Sequence, residues 1–293
     1  MSDATVETPS AWGERDSPQP VGEQAEVLAA LACGPVPHRL LVVAAHPGDE
    51  TLGAGDLISR TRDVAVVHVA GELPREADPP SSNGPPGLHP PRMGRAEVLG
   101  ALGILGLGAE RCRSLGYPDR EPATALPLIS RALARILAER FEVVVTHGYD
   151  GLDPDHDATA FAVHAAAELR RRHGAPAPVI VEMPVRHDPN APPNLGLPSG
   201  SPGQIVVSLT ASQRDRKARM LSSFHLPPEW IASRIDRELF RLAPRHDFSR
   251  PPQAGRAPGR VMGWGLGGSE FCTLAAAAAS ELGIERSSPP GPR

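Results

Sequence analysis

The chain reads as an α/β domain, Rossmann-like and three-layered, with a mostly parallel sheet. Compact apolar runs carry that reading: RLLVVAA (39–45), DVAVVHVA (63–70), FEVVVTHGYDG (141–151), APVIVEMPV (177–185) and QIVVSLT (204–210). Runs of this kind suit strands buried on both faces of a parallel sheet. Between them lie stretches of helical periodicity, and strands that alternate with helices imply right-handed crossovers. The third observation is chemical. Two of the runs end directly in clusters of histidine and acid, where open α/β sheets place their ligands.

The elements follow in order. A short helical stretch, EQAEVLAALA, precedes the first strand, and TLGAGDLISR after it is helical despite its glycines. Residues 71–91, GELPREADPPSSNGPPGLHPP, form a long loop near a strand end, a length that usually marks a lid or disorder. RMGRAEVLGALGILGL (92–107) has helical spacing, and CRSLGYPD is a short strand and turn. ALPLISRALARILAER (125–140) is an amphipathic helix, and DHDATAFAVHAAAELRRRH (155–173) is a helix that Asp153 or Asp155 can cap. SQRDRKARMLSSF is a late helix, and from about Pro244 the chain reads as loop-rich. The sequence therefore divides into a flexible leader (1–35), one domain (36–275) and a disordered tail (276–293).

Bulk properties narrow the function. With 293 residues, 40% hydrophobic and 22% charged, one ordinary core is expected. A net charge of -4 argues against a nucleic-acid binder. Only Lys217 among the 30 basic residues is lysine, a bias of composition with no functional meaning. Cys33, Cys112 and Cys272 are scattered, which excludes a disulfide framework and a cysteine-type zinc site and suits a reducing cytoplasm. The acidic, proline-rich start lacks the features of a signal peptide, and no apolar run has the length of a membrane span.

The first strand runs into His46-Pro47-Gly48-Asp49-Glu50, and a later one into Asp153-Pro154-Asp155-His156-Asp157. If those strands are neighbours, His46, Asp49 and His156 face one crevice, and two histidines with one carboxylate make a catalytic zinc pattern. A loop or capping role for each histidine is the plainer alternative. Asp157 and Glu50 are placed to orient the ligand imidazoles or the first helical turns. The other histidines, including His68, His164 and His246, show no partner pattern, and His147 stands out only by its strand-end position. A dinucleotide site is disfavoured, because HPGDETLGAG is not G-x-G-x-x-G.

LLVVAAHPGDETLGAGDLI resembles the opening of the PIG-L/LmbE-like N-acetyl-sugar deacetylases, with signature A-H-P-D-D-E. VVVTHGYDGLDPDHDATAFAVHAA resembles their second block, usually H-P-D-H. RMGRAEVLGALGILGLGAERCRSLGYPDRE, LTASQRDRKARMLSSF and RHDFSRPP are similar to further stretches, so the likeness covers about residues 38–252. It implies a zinc-dependent hydrolase that removes an acetyl or other acyl group from the nitrogen of an amino sugar. Carried over by position, His46, Asp49 and His156 hold one divalent ion. Gly48 replaces the family's base, and Asp153 replaces its oxyanion donor and acid. The resemblance leaves Asp153 or Glu50 as substitute catalytic groups, and Arg92, Arg95, Asp119 and Tyr149 as substrate contacts. A catalytically silent metal- or sugar-binding relative is the alternative. The expected partner is a small amino-sugar molecule, and a homo-oligomer stays open.

Overall fold

The computed structural model describes residues 22–71, 94–185, 203–224, 231–232, 234–252 and 266–284. The strands are β1 (Leu40–Ala44), β2 (Val64–Ala70), β3 (Cys112–Tyr117), β4 (Val143–His147), β5 (Val179–Met183), β6 (Gln204–Ser208) and β7 (Arg237–Leu242). They form one sheet in the order β3-β2-β1-β4-β5-β7-β6. β1 to β5 pair in parallel, whereas β7 runs antiparallel to both β5 and β6. The helices are α1 (Glu23–Ala32), α2 (Asp49–Arg60), α3 (Arg95–Gly103), α4 (Leu126–Leu137), α5 (Pro154–Arg172), α6 (Ala211–Ser222) and α7 (Gly268–Glu281).

β1, β2 and β4 are buried on both faces, and the period-two alternation of the strands divides the core. Leu40, Val42, Val66 and Met183 pack with α1, α2, α3 and α6 on one side. Leu41, Val43, Val67 and Val144 pack with α4 and α5 on the other. The expected three layers are therefore present. α4 shows why: its buried Leu126, Ile129, Leu133 and Leu137 recur at helical spacing. α5 starts on Asp153, whose Oδ1 accepts from the backbone N–H of Asp155 at 2.9 Å and of His156 at 3.3 Å. Pro154 takes its first position, and Arg170, Arg171 and Arg172 end it against the helix dipole.

α2 is bent at Ala54 (φ -142°, ψ 22°). The N–H groups freed by the bend need acceptors. Glu238 on β7 supplies them, accepting from Asp56 N at 2.7 Å and Leu57 N at 3.1 Å. Lys217 on α6 neutralises that carboxylate through a 2.7 Å contact, and both side chains are 0% exposed. Gly53 lets this helix meet β5, because a Cβ there would stand 2.5 Å from Met183 Sδ.

The structure corrects the reading of the ends. Beyond Pro244 the chain is not only loop, since α7 buries Phe271, Cys272, Ala275 and Ala278. This helix passes the boundary expected at 275 and continues to Glu281. Its alanine-rich sequence lacks the large apolar stripe that announces a packed helix. α1 lies within the expected leader, yet Leu31 is fully buried in the main core. β7 was also unexpected, because RELFRL alternates over too few residues to stand out. The expected loop 71–91 falls almost wholly outside the described residues. Among those described, no helix is long and apolar enough to cross a membrane.

Candidate metal centre

β1 pairs with β2 on one side and β4 on the other, so the strand order reverses at β1 and β4. A crevice opens beyond the carboxyl ends at such a switch point. The turn after β1 enters it with Gly48 at φ 98°, a left-handed value that glycine takes readily. That turn directs Asp49 back towards His46, whose own backbone N–H donates to Asp49 Oδ2 at 3.0 Å.

Asp49 Oδ2 is the centre of the site. His46 Nδ1 lies 3.5 Å from it, His156 Nε2 3.4 Å and His147 Nε2 3.4 Å. Donor atoms of His46, Asp49 and His156 all fall within 4.8 Å of one another. The crevice thus gathers the three residues that the two sequence blocks single out. Two imidazoles and a carboxylate around a common centre are the donor set and spacing that a divalent ion takes.

The electrostatics point the same way. Burial opposes protonation of His156, but Asp153 and Asp49 outweigh it and lift the ring to about 9. Burial likewise opposes protonation of His46, yet Asp155 and Asp49 raise it well above its ordinary value. His147 goes the other way, to about 4, through burial and the neighbouring His156. The pocket therefore attracts positive charge and keeps one imidazole neutral. Burial also pushes Asp155 up, against the lowering effect of His46 3.1 Å away.

Asp155 is the residue that sequence reasoning missed. Its Oδ2 faces His46 Nε2 and also accepts from Arg120 N at 2.8 Å. It completes a carboxylate–histidine arrangement that fixes which His46 nitrogen points inward. In the sequence it is one of several acids beside His156, and capping was its expected task. His147 is the second addition. Its Nε2 accepts from Ala45 N at 2.8 Å, and its ring stacks on His156 at 3.9 Å.

The other expected residues divide. Asp153 caps α5 with Oδ1 and turns Oδ2 towards His156 Nε2 at 3.7 Å. Asp119 reaches the rim, with Oδ1 3.8 Å from His46 Nε2. Glu50 is spent inside the fold: it accepts from Gly48 N at 2.8 Å and Thr51 Oγ1 at 2.7 Å, and pairs with His68 Nε2 at 2.8 Å. Of the two roles expected for Glu50 and Asp157, these contacts fit the holding of the turns, and Asp157 accepts from Asp150 N and Gly151 N, each at 3.2 Å. Tyr149 is buried among Phe248 and Phe271, with its hydroxyl donating to the Arg250 carbonyl at 2.8 Å. Arg95 donates to the Cys112 carbonyl at 3.3 Å. Arg92 lies outside the described residues.

The chain is thus of the α/β class, with a histidine–carboxylate cluster that could hold a divalent ion at the switch point of its sheet. Residues 41–167 match the family model described as PIG-L: GlcNAc-PI de-N-acetylase. No curated protein matches the sequence. Among solved structures, the conserved protein TT1542 from Thermus thermophilus is similar at 24% identity and a TM-score of 0.50, over 74% of this chain and 97% of that one. The A40926 pseudoaglycone deacetylase Dbv21 is similar at 19% identity and a TM-score of 0.50, over 70% of this chain and 96% of that one. These likenesses bear out the α/β fold expected from the sequence.

Proposed function

We propose that the chain is a metal-dependent hydrolase that removes an acetyl or other acyl group from the nitrogen of an amino sugar or glycoconjugate. The observation that carries this is the convergence of three imidazole nitrogens on Asp49 Oδ2, at 3.4–3.5 Å, where β1 and β4 end. The match to the PIG-L family model and the fold shared with a pseudoaglycone deacetylase support the reaction class.

His46, Asp49 and His156 would hold the ion, with zinc favoured by the donor set. When bound, the ion supplies Lewis acidity to an amide carbonyl and lowers the pKa of water. The remaining work falls to the chain. Asp155 holds His46, and His147 braces His156 from its far face. With glycine at position 48, Asp153 is the carboxylate aimed at the centre, through an Oδ2 that stands 3.7 Å from His156 Nε2. It takes the proton of the attacking water and returns it to the amine as the C–N bond breaks. Asp119 on the rim would accept from a sugar hydroxyl. Glu50 is assigned to holding the turn, not to proton transfer.

The test is acetate release by zinc-loaded protein from N-acetylglucosaminyl-phosphatidylinositol, an N-acylated glycopeptide and diacetylchitobiose, with His46→Ala as the blank. Release above the blank supports the hydrolase. Bound zinc without release from any of the three overturns it. The missing side chain at Gly48 would then favour a silent, ligand-binding relative.

A further inference from the structure

A second group of metal-type donors lies away from the crevice. His164 sits in the middle of α5, Glu182 on β5, and His246 in the segment after β7. Donor atoms of the three fall within 4.8 Å of one another. In register, Glu182 pairs with Thr146, and Met183 beside it pairs with His147. Met183 packs with α2, so the alternation of β5 turns Glu182 to the opposite face, where α5 lies. Two residues adjacent in sequence thus serve different sides of the sheet.

We propose that His164, Glu182 and His246 form a second, structural site for a borderline divalent cation such as zinc. Four features support it. His164 Nε2 is buried without a hydrogen-bond partner, a costly state for a polar atom unless a ligand uses it. Burial, with His246 beside it, holds the His164 ring neutral at about 4, the form that binds metal. Glu182 is kept ionised despite burial, by His246 and Arg241. Arg241 Nε donates to Glu182 Oε2 at 3.0 Å, whereas the imidazole of His246 contacts Oε1. The carboxylate is therefore oriented by an outer hydrogen bond and presents its other oxygen to the two imidazoles, the usual arrangement around a metal-bound carboxylate.

Donors around a tetrahedral zinc stand about 3.4 Å apart, so on binding His164 would draw in from a cluster spanning no more than 4.8 Å while Glu182 and His246, now in direct contact, would move apart. Rings shield the place: Phe248 lies 5.6 Å from His164 and 5.3 Å from His246, and Tyr149 meets His246 edge-on at 5.6 Å. Such a closed site favours a staple over a catalyst. It would tie the segment after β7 to α5 and β5, and so hold Tyr149 and Phe248 beneath α7.

Zinc content of the metal-stripped and reloaded full chain tests this, measured by atomic emission beside circular dichroism. The expected wild-type value is a second equivalent beyond the one lost in His46→Ala. His164→Ala should lose that second equivalent alone, and adding it to His46→Ala should remove both. Glu182→Gln keeps the side-chain shape and should weaken zinc binding at the second site at least ten-fold, which covers the case of a His164→Ala chain that does not fold. A wild-type chain that binds no second equivalent overturns the proposal. So does zinc content in His164→Ala or Glu182→Gln equal to that of the wild type.

Discussion

His147 lies flat against His156, with ring centroids 3.9 Å apart and planes tilted by 15°. The first ring is anchored by Ala45 N and kept neutral at about 4, while the second is lifted to about 9. One imidazole therefore serves as a fixed wall for the other. His147→Ala removes the wall and leaves the Ala45 N–H buried without its acceptor. We expect a stability loss of about 1–3 kcal/mol and zinc affinity weaker by about 10–100-fold. Urea unfolding and a zinc titration check both.

Asp153 has two tasks that separate by substitution. Asp153→Asn keeps an acceptor for the α5 N-terminus but removes the base. Its stability should match the wild type while turnover falls by about 10²–10⁴. Asp153→Ala should lose activity to the same extent and a further ~1 kcal/mol of stability with the cap. Equal turnover in Asp153→Asn and wild type would remove Asp153 from the reaction.

Gly48→Asp restores the carboxylate that the two-block resemblance expects at this place. The position holds φ 98°, so a side chain costs about 1–2 kcal/mol. We expect a lower melting temperature together with faster acetate release. A variant as slow as the wild type would mean that position 48 does not reach the reacting amide.

Lys217 and Glu238 are fully buried and 2.7 Å apart. Lys217→Met strands the carboxylate that caps the bent half of α2, and should cost about 3–5 kcal/mol in urea unfolding. Glu238→Gln combined with Lys217→Met should recover part of it, because the amide oxygen still accepts from Asp56 N.

His68 gives the fold a pH dependence. Burial opposes its protonation, but Cys112 and Glu50 raise it from 6.5 to about 10. A raised value means the contribution is complete below 6.5 and fades as pH climbs towards 10. The wild type should lose stability over that window at up to about 1.4 kcal/mol per pH unit. His68→Asn should show a flatter profile. Unfolding free energies at pH 7, 8 and 9 for both chains provide the check.

Much of the fold was legible. Runs of valine and leucine such as LLVVA can only be buried strands, and alternation with amphipathic helices leaves little choice but a parallel sheet. Two of the expected substrate contacts also have partners within the fold. Tyr149 and Arg95 are polar groups near strand ends, and a hydroxyl or guanidinium satisfied by a backbone carbonyl looks the same in sequence as one aimed at a ligand. Glu50 follows the same logic, since His68 lies on the neighbouring strand and Thr51 on its own helix.

The order of residues by itself determined β1 to β6, the helices α1 to α6 around them and the two blocks that hold His46, Asp49 and His156. Local periodicity and strand-end position are short-range properties, and the sequence carries them directly. Packing decided the partners. His46 meets Asp155 across 109 residues, and Ala45 meets His147 across 102. His164 and Glu182 reach His246 only because β7 inserts beside β5. Such contacts depend on strand order, register and which face each side chain takes, and a one-residue change of register would turn every one of them to the opposite side of the sheet.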